Sequence, residues 1–424
     1  MDIKRFLNVW QQDAQQIMPL SPANFPKVLT GKEAIYNQYK SLPGNFTSMR
    51  FPREIYPTSN PDVVIVKYAG IIPLKSGGTY NNNYVGIFEL KNGKISTFTE
   101  YFDPVILSET FGMQLESNFN VKTTEASVEK VSFISEGLIL KGNLYLPAGF
   151  DASKQYPAVI VTGSWTSVKE QMAGLYAQKL AQQGFVALAF DFRYWGESEG
   201  QPRQYENPEA KTIDIKNAAT YLLSLPYVNS NELSGLSICA SAGYMAKAVS
   251  EDTRIKKLVT VAGWLHTPLV AKMIYDNWPD KYEGLIAKGN AAAEKFRKTG
   301  TTDYVVACSD TNPNAAMYVP NGIFPYYIDP ALGAIPEYTN NFALMSWPKW
   351  LQYDAIASSH NISQPVYMIH SEKAALPDGA RQFYSNLKGS KKTEWINEYS
   401  QMEFYYKEDA VNTAVTKAAE WLKS

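Results

Sequence analysis

Strand patterns dominate the first quarter of the chain. Asp62-Val63-Val64-Ile65-Val66 and Tyr84 to Leu90 read as strands, and a third runs from Ile95 to Tyr101. Lys91-Asn92-Gly93-Lys94, between the last two, is a tight hairpin signal, because Asn-Gly tolerates the left-handed backbone of a two-residue turn. Ahead of them, Phe6, Leu7 and Trp10 form a short amphipathic opening that predicts a helix. A second helix is predicted from Gly31-Lys32-Glu33 through Tyr39. Residues 1–115 therefore read as one α+β domain, with helices first and a mostly antiparallel sheet after.

Residues 113–130 are polar, and 116–130 are assigned as a linker. From Val131 the pattern changes. Two strands, Val131–Ser135 and Leu138–Leu146, lead into buried strand segments at Ala158–Val161, Phe185–Phe190, Leu236–Cys239, Leu258–Val261, Val366–Ile369 and Glu394–Ile396. Amphipathic helices lie between them. Ile215, Ala218, Ala219 and Leu222 share one face, and Val411, Ala414, Val415, Ala418 and Leu422 share another. Such alternation predicts an α/β fold with a doubly wound, mostly parallel sheet over residues 131–424. Between about 264 and 360 the alternation stops and Tyr, Trp, Asn and Pro take over. This insertion is expected to cap the end of the sheet that carries the site, with Trp347, Trp350, Tyr326 and Tyr327 lining a pocket or packing the cap.

Charge removes several function classes. Forty Lys and Arg against 41 Asp and Glu leave a net charge of −1 over 424 residues, so neither nucleic acid nor an anionic membrane is the expected partner. Met1 to Leu20 carries Asp2, Asp13 and several glutamines where a signal peptide needs an apolar core, and no run has the length of a membrane span. Two cysteines, Cys239 and Cys308, make no disulfide framework and point to the cytoplasm. The three histidines, His266, His360 and His370, show no zinc-ligand spacing, and no metal is expected.

Candidate chemistry centres on Cys239-Ala240-Ser241-Ala242-Gly243. A serine becomes a nucleophile when it is exposed on a tight strand-to-helix turn, deprotonated during attack and set beside oxyanion donors. On this reading Ser241 attacks, and the oxyanion hole is formed by backbone N–H groups of Ala242 and of Ser164 or Trp165, in the turn Thr162-Gly163-Ser164-Trp165. The competing reading makes Ser241 the N-cap of a buried helix. The loop Asp191–Gly200 reads as structural.

Gly163–Gln171, Asp191–Gly200 and Ile238–Tyr244 together resemble the α/β-hydrolase superfamily, most of all its dienelactone-hydrolase-like and acyl-esterase-like members. The resemblance covers residues 130–424. It implies an eight-stranded type of sheet, a Ser–acid–His triad in that order and cofactor-free hydrolysis of an ester, thioester or amide. The implied acid follows Val366–Ile369, where Glu372 is the candidate and Asp378 the reserve. The implied histidine falls in the loop after the last strand, where Ser400-Gln401-Met402-Glu403-Phe404-Tyr405 puts Gln401 in its slot. A glutamine amide does not accept a proton near neutrality. His266, at the carboxyl end of its strand, is the candidate substitute base; a structural histidine beneath the cap is the alternative. Residues 1–115 resemble a SnoaL-like domain of the nuclear-transport-factor-2-like superfamily, on Gly31–Ile35, Tyr80–Tyr84, Gly93–Ile95 and Glu100–Pro104. That implies a curved sheet around a conical pocket, with Tyr84, Glu100 and Asp103 as polar groups; homodimer assembly or gating of the hydrolase pocket is the expected role. Two functions stand at this point: a serine hydrolase of small ester-like substrates, impaired by Gln401, and a non-catalytic ligand-binding scaffold. An inactive variant of an active parent is the third.

Overall fold

The computed structural model describes residues 6–22, 25–111, 126–318 and 325–424. The chain divides into two compact units, Met1–Phe119 and Asn120–Ser424.

The first unit is built on six strands: β1 (Trp10–Ile17), β2 (Val28–Thr30), β3 (Arg53–Pro57), β4 (Val63–Pro73), β5 (Thr79–Lys91) and β6 (Lys94–Phe102), with helix α1 (Lys32–Tyr39) between β2 and β3 and α2 (Pro104–Phe111) after β6. Their order is β2-β1-β6-β5-β4-β3, antiparallel except where β1 runs parallel to β6. Asn92 and Gly93 take φ values of 53° and 69°, the left-handed turn that the hairpin signal requires. The predicted opening is helical at Phe6 and Leu7 but does not extend to Trp10. Trp10 starts a strand, because Trp10, Ala14, Gln16 and Met18 are all buried and their even spacing places them on one face of an extended chain.

In the second unit the predicted linker ends earlier than expected, since Ser127 to Lys130 already belong to β7 (Ser127–Ser135); residues 116–125 lie outside the described residues. β7 pairs with β8 (Leu138–Leu146) as an antiparallel edge. The remaining strands are β9 (Tyr156–Thr162), β10 (Val186–Phe190), β11 (Val228–Ile238), β12 (Lys257–Val261), β13 (Val366–His370) and β14 (Lys391–Trp395). The eight-stranded order is β14-β13-β12-β11-β9-β10-β8-β7, and β9 through β14 are mutually parallel. Chain order reverses between β9 and β11, which are neighbours. In open parallel sheets such a switch point opens a crevice at the carboxyl ends of the strands. The loop after β9 and the turn after β11 therefore meet there.

Helices α3 (Met172–Gln182), α4 (Pro208–Ser224) and α5 (Ser241–Glu251) link these strands. The insertion between β12 and β13 carries α6 (Pro268–Tyr275) and α7 (Lys281–Thr299), with two short strand pairings between residues 304 and 343. After β13 come α8 (Pro377–Asn386) and, last, α9 (Glu408–Lys423). Val159, Ile160, Leu188, Leu236 and Val259 are fully buried on the central strands. Among the described residues no helix is long and apolar enough to cross a membrane.

Candidate active site

The backbone moves the point of the elbow by two residues. Strand pairing ends at Ile238, opposite Val261, and α5 begins at Ser241. Between them Cys239 takes φ = 60°, a left-handed value that non-glycine residues adopt only under constraint. Its own N–H donates to Val261 O at 3.1 Å, and its carbonyl accepts from Ala242 N and Trp264 N. The residue presented at the turn is therefore Cys239, framed by the small residues Ser237 and Ser241 two positions to either side.

Ser241 does not line the cavity that Cys239 lines. It is fully buried, and its hydroxyl lies 3.0 Å from Thr162 O and 3.1 Å from Ile238 O. It braces the base of the turn against the end of β9, so the expected serine nucleophile is corrected. The expected oxyanion donors change with it. Ala242 N donates to Cys239 O, and Ser164 N faces the Met172 sulfur at 3.4 Å. The N–H groups that meet the Cys239 thiol are those of Trp165 and Ala240.

The loop carrying Trp165 is held from several sides. Gly163 has no room for a side chain, since a Cβ would lie 2.6 Å from Ser167 Oγ. Ser167 Oγ donates to Ser164 O, Val168 N to Gln171 Oε1, and Tyr327 OH to Ser164 Oγ at 2.6 Å. Asp191, at the end of β10, accepts from Lys169 N and Lys169 Nζ, both at 2.8 Å, and from Glu197 N at 2.9 Å. The Asp191–Gly200 loop thus acts as a brace on the loop after β9.

Gln401 reaches the thiol. It is buried; its Oε1 accepts from Ala375 N at 2.9 Å, and its Nε2 donates to Ala262 O and Tyr405 OH, both at 2.8 Å. The Tyr405 hydroxyl and the Gln401 amide both face the Cys239 thiol. Gln401 donates to the Tyr405 hydroxyl, which leaves the tyrosine's own proton free to turn toward the sulfur it faces. Burial pushes the Cys239 thiol above its ordinary value, while Tyr405, the Trp165 and Ala240 N–H groups and Gln401 pull it down. These donors offset part of the cost of burying a thiolate, and among the described residues no histidine hydrogen-bonds to the sulfur.

The other candidates lie elsewhere. Glu372 is exposed and paired with Arg381, and Asp378 is exposed and bound to the same guanidinium at 2.9 Å. The acid assignment is corrected accordingly: the residue of this loop that touches Gln401 is Ala375, through its backbone N–H. His266 is buried, with Nε2 3.1 Å from Trp350 O and burial lowering it to about 4; it makes no hydrogen bond to Cys239 or Ser241, so it does not serve as their base. His370 is engaged by the carbonyls of Ser371 and Gly263. His360 is exposed and precedes β13.

Cys239 forms the floor of a cavity of about 240 Å³ walled by Trp165, Trp264, Trp278, Trp350, Ile274 and Met317. All of these walls except Trp165 belong to the inserted cap. The lining is almost wholly apolar and the volume is below the ~300–1,000 Å³ of sites for drug-sized ligands. Trp347 packs instead against Tyr275 and Phe342, and Tyr326 against Tyr405 and Tyr406. Cys239, Ala240 and Tyr405 were missed by sequence reasoning. The available signal was that Ser237 and Ser241 frame Cys239 as small residues. Among the described residues no group of three or more His, Cys, Asp or Glu could hold a metal ion.

Residues 1–98 match the SnoaL-like domain family. The chain is similar to the uncharacterized protein YcjY of Escherichia coli, 45% identical over 136 residues, which is 31% of this chain and 44% of that protein. It is 32% identical over 251 residues to the uncharacterized protein PA2218 of Pseudomonas aeruginosa, covering 58% of this chain and 67% of that one. A thiohydrolase of Eupenicillium brefeldianum is 25% identical over 251 residues, with 58% and 77% covered. The crystal structure of PA2218 superposes with a TM-score of 0.62 at 25% identity, over 73% of this chain and 98% of that one. That of the α/β hydrolase GrgF from a Penicillium species superposes with 0.59 at 18% identity, over 70% and 98%, a likeness of fold.

Proposed function

We propose, since this chain belongs to the α/β-hydrolase superfamily and carries a SnoaL-like domain at its N-terminus, that it is an acyl-transfer enzyme working on small apolar thioesters through Cys239. The observation that carries this reading is the left-handed Cys239 on its strand-to-helix turn, with the Trp165 and Ala240 N–H groups on its sulfur. The sulfur attacks the thioester carbonyl carbon, forming a new C–S bond. The carbonyl oxygen takes negative charge and is received by the two N–H groups. The bond to the leaving sulfur then breaks, and the thiol proton passes through the Tyr405 hydroxyl to that sulfur. Water or an acceptor nucleophile takes the acyl group in the second half.

The missing histidine selects the substrate class. An ester's leaving alkoxide needs a strong proton donor, and the attacking thiol would need a base. In thioester exchange the attacking and leaving groups are both thiols of comparable acidity, so the proton moves between near-equals. Gln401 and Tyr405 orient and donate without having to accept. A related chain being named a thiohydrolase supports the same class.

The test is incubation of the full chain with a butanoyl thioester of N-acetylcysteamine, read by intact mass and peptide mapping. The acyl adduct is expected on Cys239, absent in Cys239→Ala and retained in Ser241→Ala. If thiol release and adduct in the wild type do not exceed those of Cys239→Ala, the acyl-transfer reading fails. A second reading, a ligand-binding protein without turnover, is favoured by one observation, the burial that raises the thiol with no base beside it. Saturable binding of the thioester with no adduct would select it.

A further inference from the structure

The cavity over Cys239 is smaller than an N-acetylcysteamine thioester. Its volume of about 240 Å³ holds about eight non-hydrogen atoms, at the ~30 Å³ that a water molecule occupies in the liquid. A butanoyl group with its sulfur takes about six of them, whereas the whole thioester has about twelve. The thiol side must therefore extend out of this cavity. Beside it in the cap lies a second cavity of about 420 Å³, walled by Trp278, Leu285, Val305, Leu344 and Trp347. Two segments of the cap serve both. Trp278 lines each cavity, and Ala315, two residues before Met317 of the inner wall, lines the outer one.

Trp278 stands in the turn between α6 and α7. It is half-buried, and its indole Nε1 has no hydrogen-bond partner. Its ring packs on Tyr275 at a centroid distance of 4.9 Å. Swinging the indole aside therefore gives up ring packing and no hydrogen bond. The outer cavity carries two ion pairs based on α7. Lys288 Nζ lies 2.5 Å from Asp280 Oδ2, and Lys295 Nζ lies 2.6 Å from Asp303 Oδ1. Each pair is neutral as a whole. An anionic ligand would meet Asp280 and Asp303, and a cationic one would meet Lys288 and Lys295. An amide suits both members of a pair, since its carbonyl accepts from the ammonium and its N–H donates to the carboxylate.

We propose that the outer cavity is the subsite for the thiol side of the thioester, an extended neutral arm carrying two amide groups, and that Trp278 is the movable partition the arm displaces. This rests on thioester chemistry at Cys239. The ion pairs of α7 engage the amides, and Trp278, Leu285 and Leu344 pack on the methylenes between them. The acyl group stays in the inner cavity, so the two cavities divide the substrate at its sulfur.

The test compares butanoyl thioesters of three thiols on the full chain. N-acetylcysteamine carries one amide, pantetheine adds a second further along, and N-decanoylcysteamine keeps the first and adds an apolar tail instead. The reacting groups are the same in all three, so differences in kcat/KM report the arm. Calorimetric binding to Cys239→Ala reads the same preference without turnover. Pantetheine is expected to exceed both others at least about tenfold in each readout, with the kinetic gain in KM. Ala291→Trp fills the outer cavity from an exposed position of α7. That variant, and the double variant Asp280→Asn with Lys288→Met, should each cut the pantetheine-to-N-acetylcysteamine ratio about fivefold or more. The proposal is overturned if none of the three binds. It is also overturned if, in either readout that gives a signal, pantetheine gains nothing over N-acetylcysteamine or N-decanoylcysteamine matches it, or if neither variant changes the ratio. Failure of the Cys239 chemistry alone has a different signature: no acylation by any of the three, with the binding preference and its loss in Ala291→Trp intact.

Discussion

Replacing Tyr405 by Phe removes one hydroxyl from the thiol site and little else. The ring packs edge-on to Tyr326 and Tyr327 at centroid distances of 5.3 and 6.3 Å, and those contacts survive. Gln401 loses one acceptor but keeps Ala262 O and the bond from Ala375 N, so its slot holds. The thiolate of Cys239 loses an O–H donor. A hydrogen bond to a charged group contributes about 1.5–3 kcal/mol. At about 1.4 kcal/mol per factor of ten, the thiolate population at pH 7 falls roughly 10–100-fold. A less stabilised thiolate is also a better nucleophile, with a Brønsted slope of about 0.4–0.5, which returns about half of that logarithm. The net expectation is a rate about 3–10-fold lower. The assay is alkylation by iodoacetamide at pH 7 in a Cys308→Ser background, followed by mass spectrometry, so that Cys239 is the only thiol read. Equal or faster alkylation of Tyr405→Phe, with its melting temperature unchanged, would refute the polar chain from Gln401 through Tyr405 to the sulfur.

Further predictions rest on separate parts of the structure. Gln401→His should raise thioester turnover less than about tenfold, because the Ala375 N–H that now donates to Gln401 would hold one ring nitrogen as acceptor and leave the other protonated toward the thiol; a larger gain at neutral pH would show that the histidine tautomer is free. Asp191→Ala takes one of three carboxylates from the buried Lys169 ammonium, which keeps Glu170 and Glu197, and loosens the loop that presents Trp165, so chemical denaturation should show a loss of about 1.5–3 kcal/mol. Cys239 alkylation in the wild type should climb with pH past neutrality, since burial raises the thiol and the reactive form is the thiolate; a plateau below pH 7 would contradict this. Glu100 carries a folded value of about 6 against an ordinary 4.5, so the folded chain binds its proton more tightly. Stability should be greatest below about pH 4.5 with respect to this group and fall by about 2 kcal/mol as pH rises through 6. Glu100→Gln should flatten that slope in denaturation curves taken from pH 4.5 to 7.

Local pattern determined a great deal of this protein. Continuous apolar runs such as Ala158–Val161 and Leu258–Val261 mark strands buried on both faces, and they stand in the structure within a residue or two at each end. The hairpin at Asn92-Gly93 and the aromatic insertion over the carboxyl end of the sheet were legible for the same reason: turn chemistry and composition act over a few neighbouring residues. Where one short pattern admitted two answers, tertiary structure decided. In the opening segment Phe6 and Leu7 are helical as expected, whereas Trp10 suits a helix turn as well as a strand, and pairing with β6 selected the strand. Glu372 was a carboxylate at a plausible spacing, but its direction depends on Arg381, nine residues on in α8. The elbow is the clearest case. Cys239 and Ser241 are both small, both nucleophilic and two residues apart, so no local rule separates them. The choice was made by where β11 stops pairing with β12 and how close β9 lies: the end of the ladder forces φ = 60° on Cys239, and Thr162 of β9 occupies the Ser241 hydroxyl. Both constraints come from strands distant in sequence, which is why only the folded chain could express them.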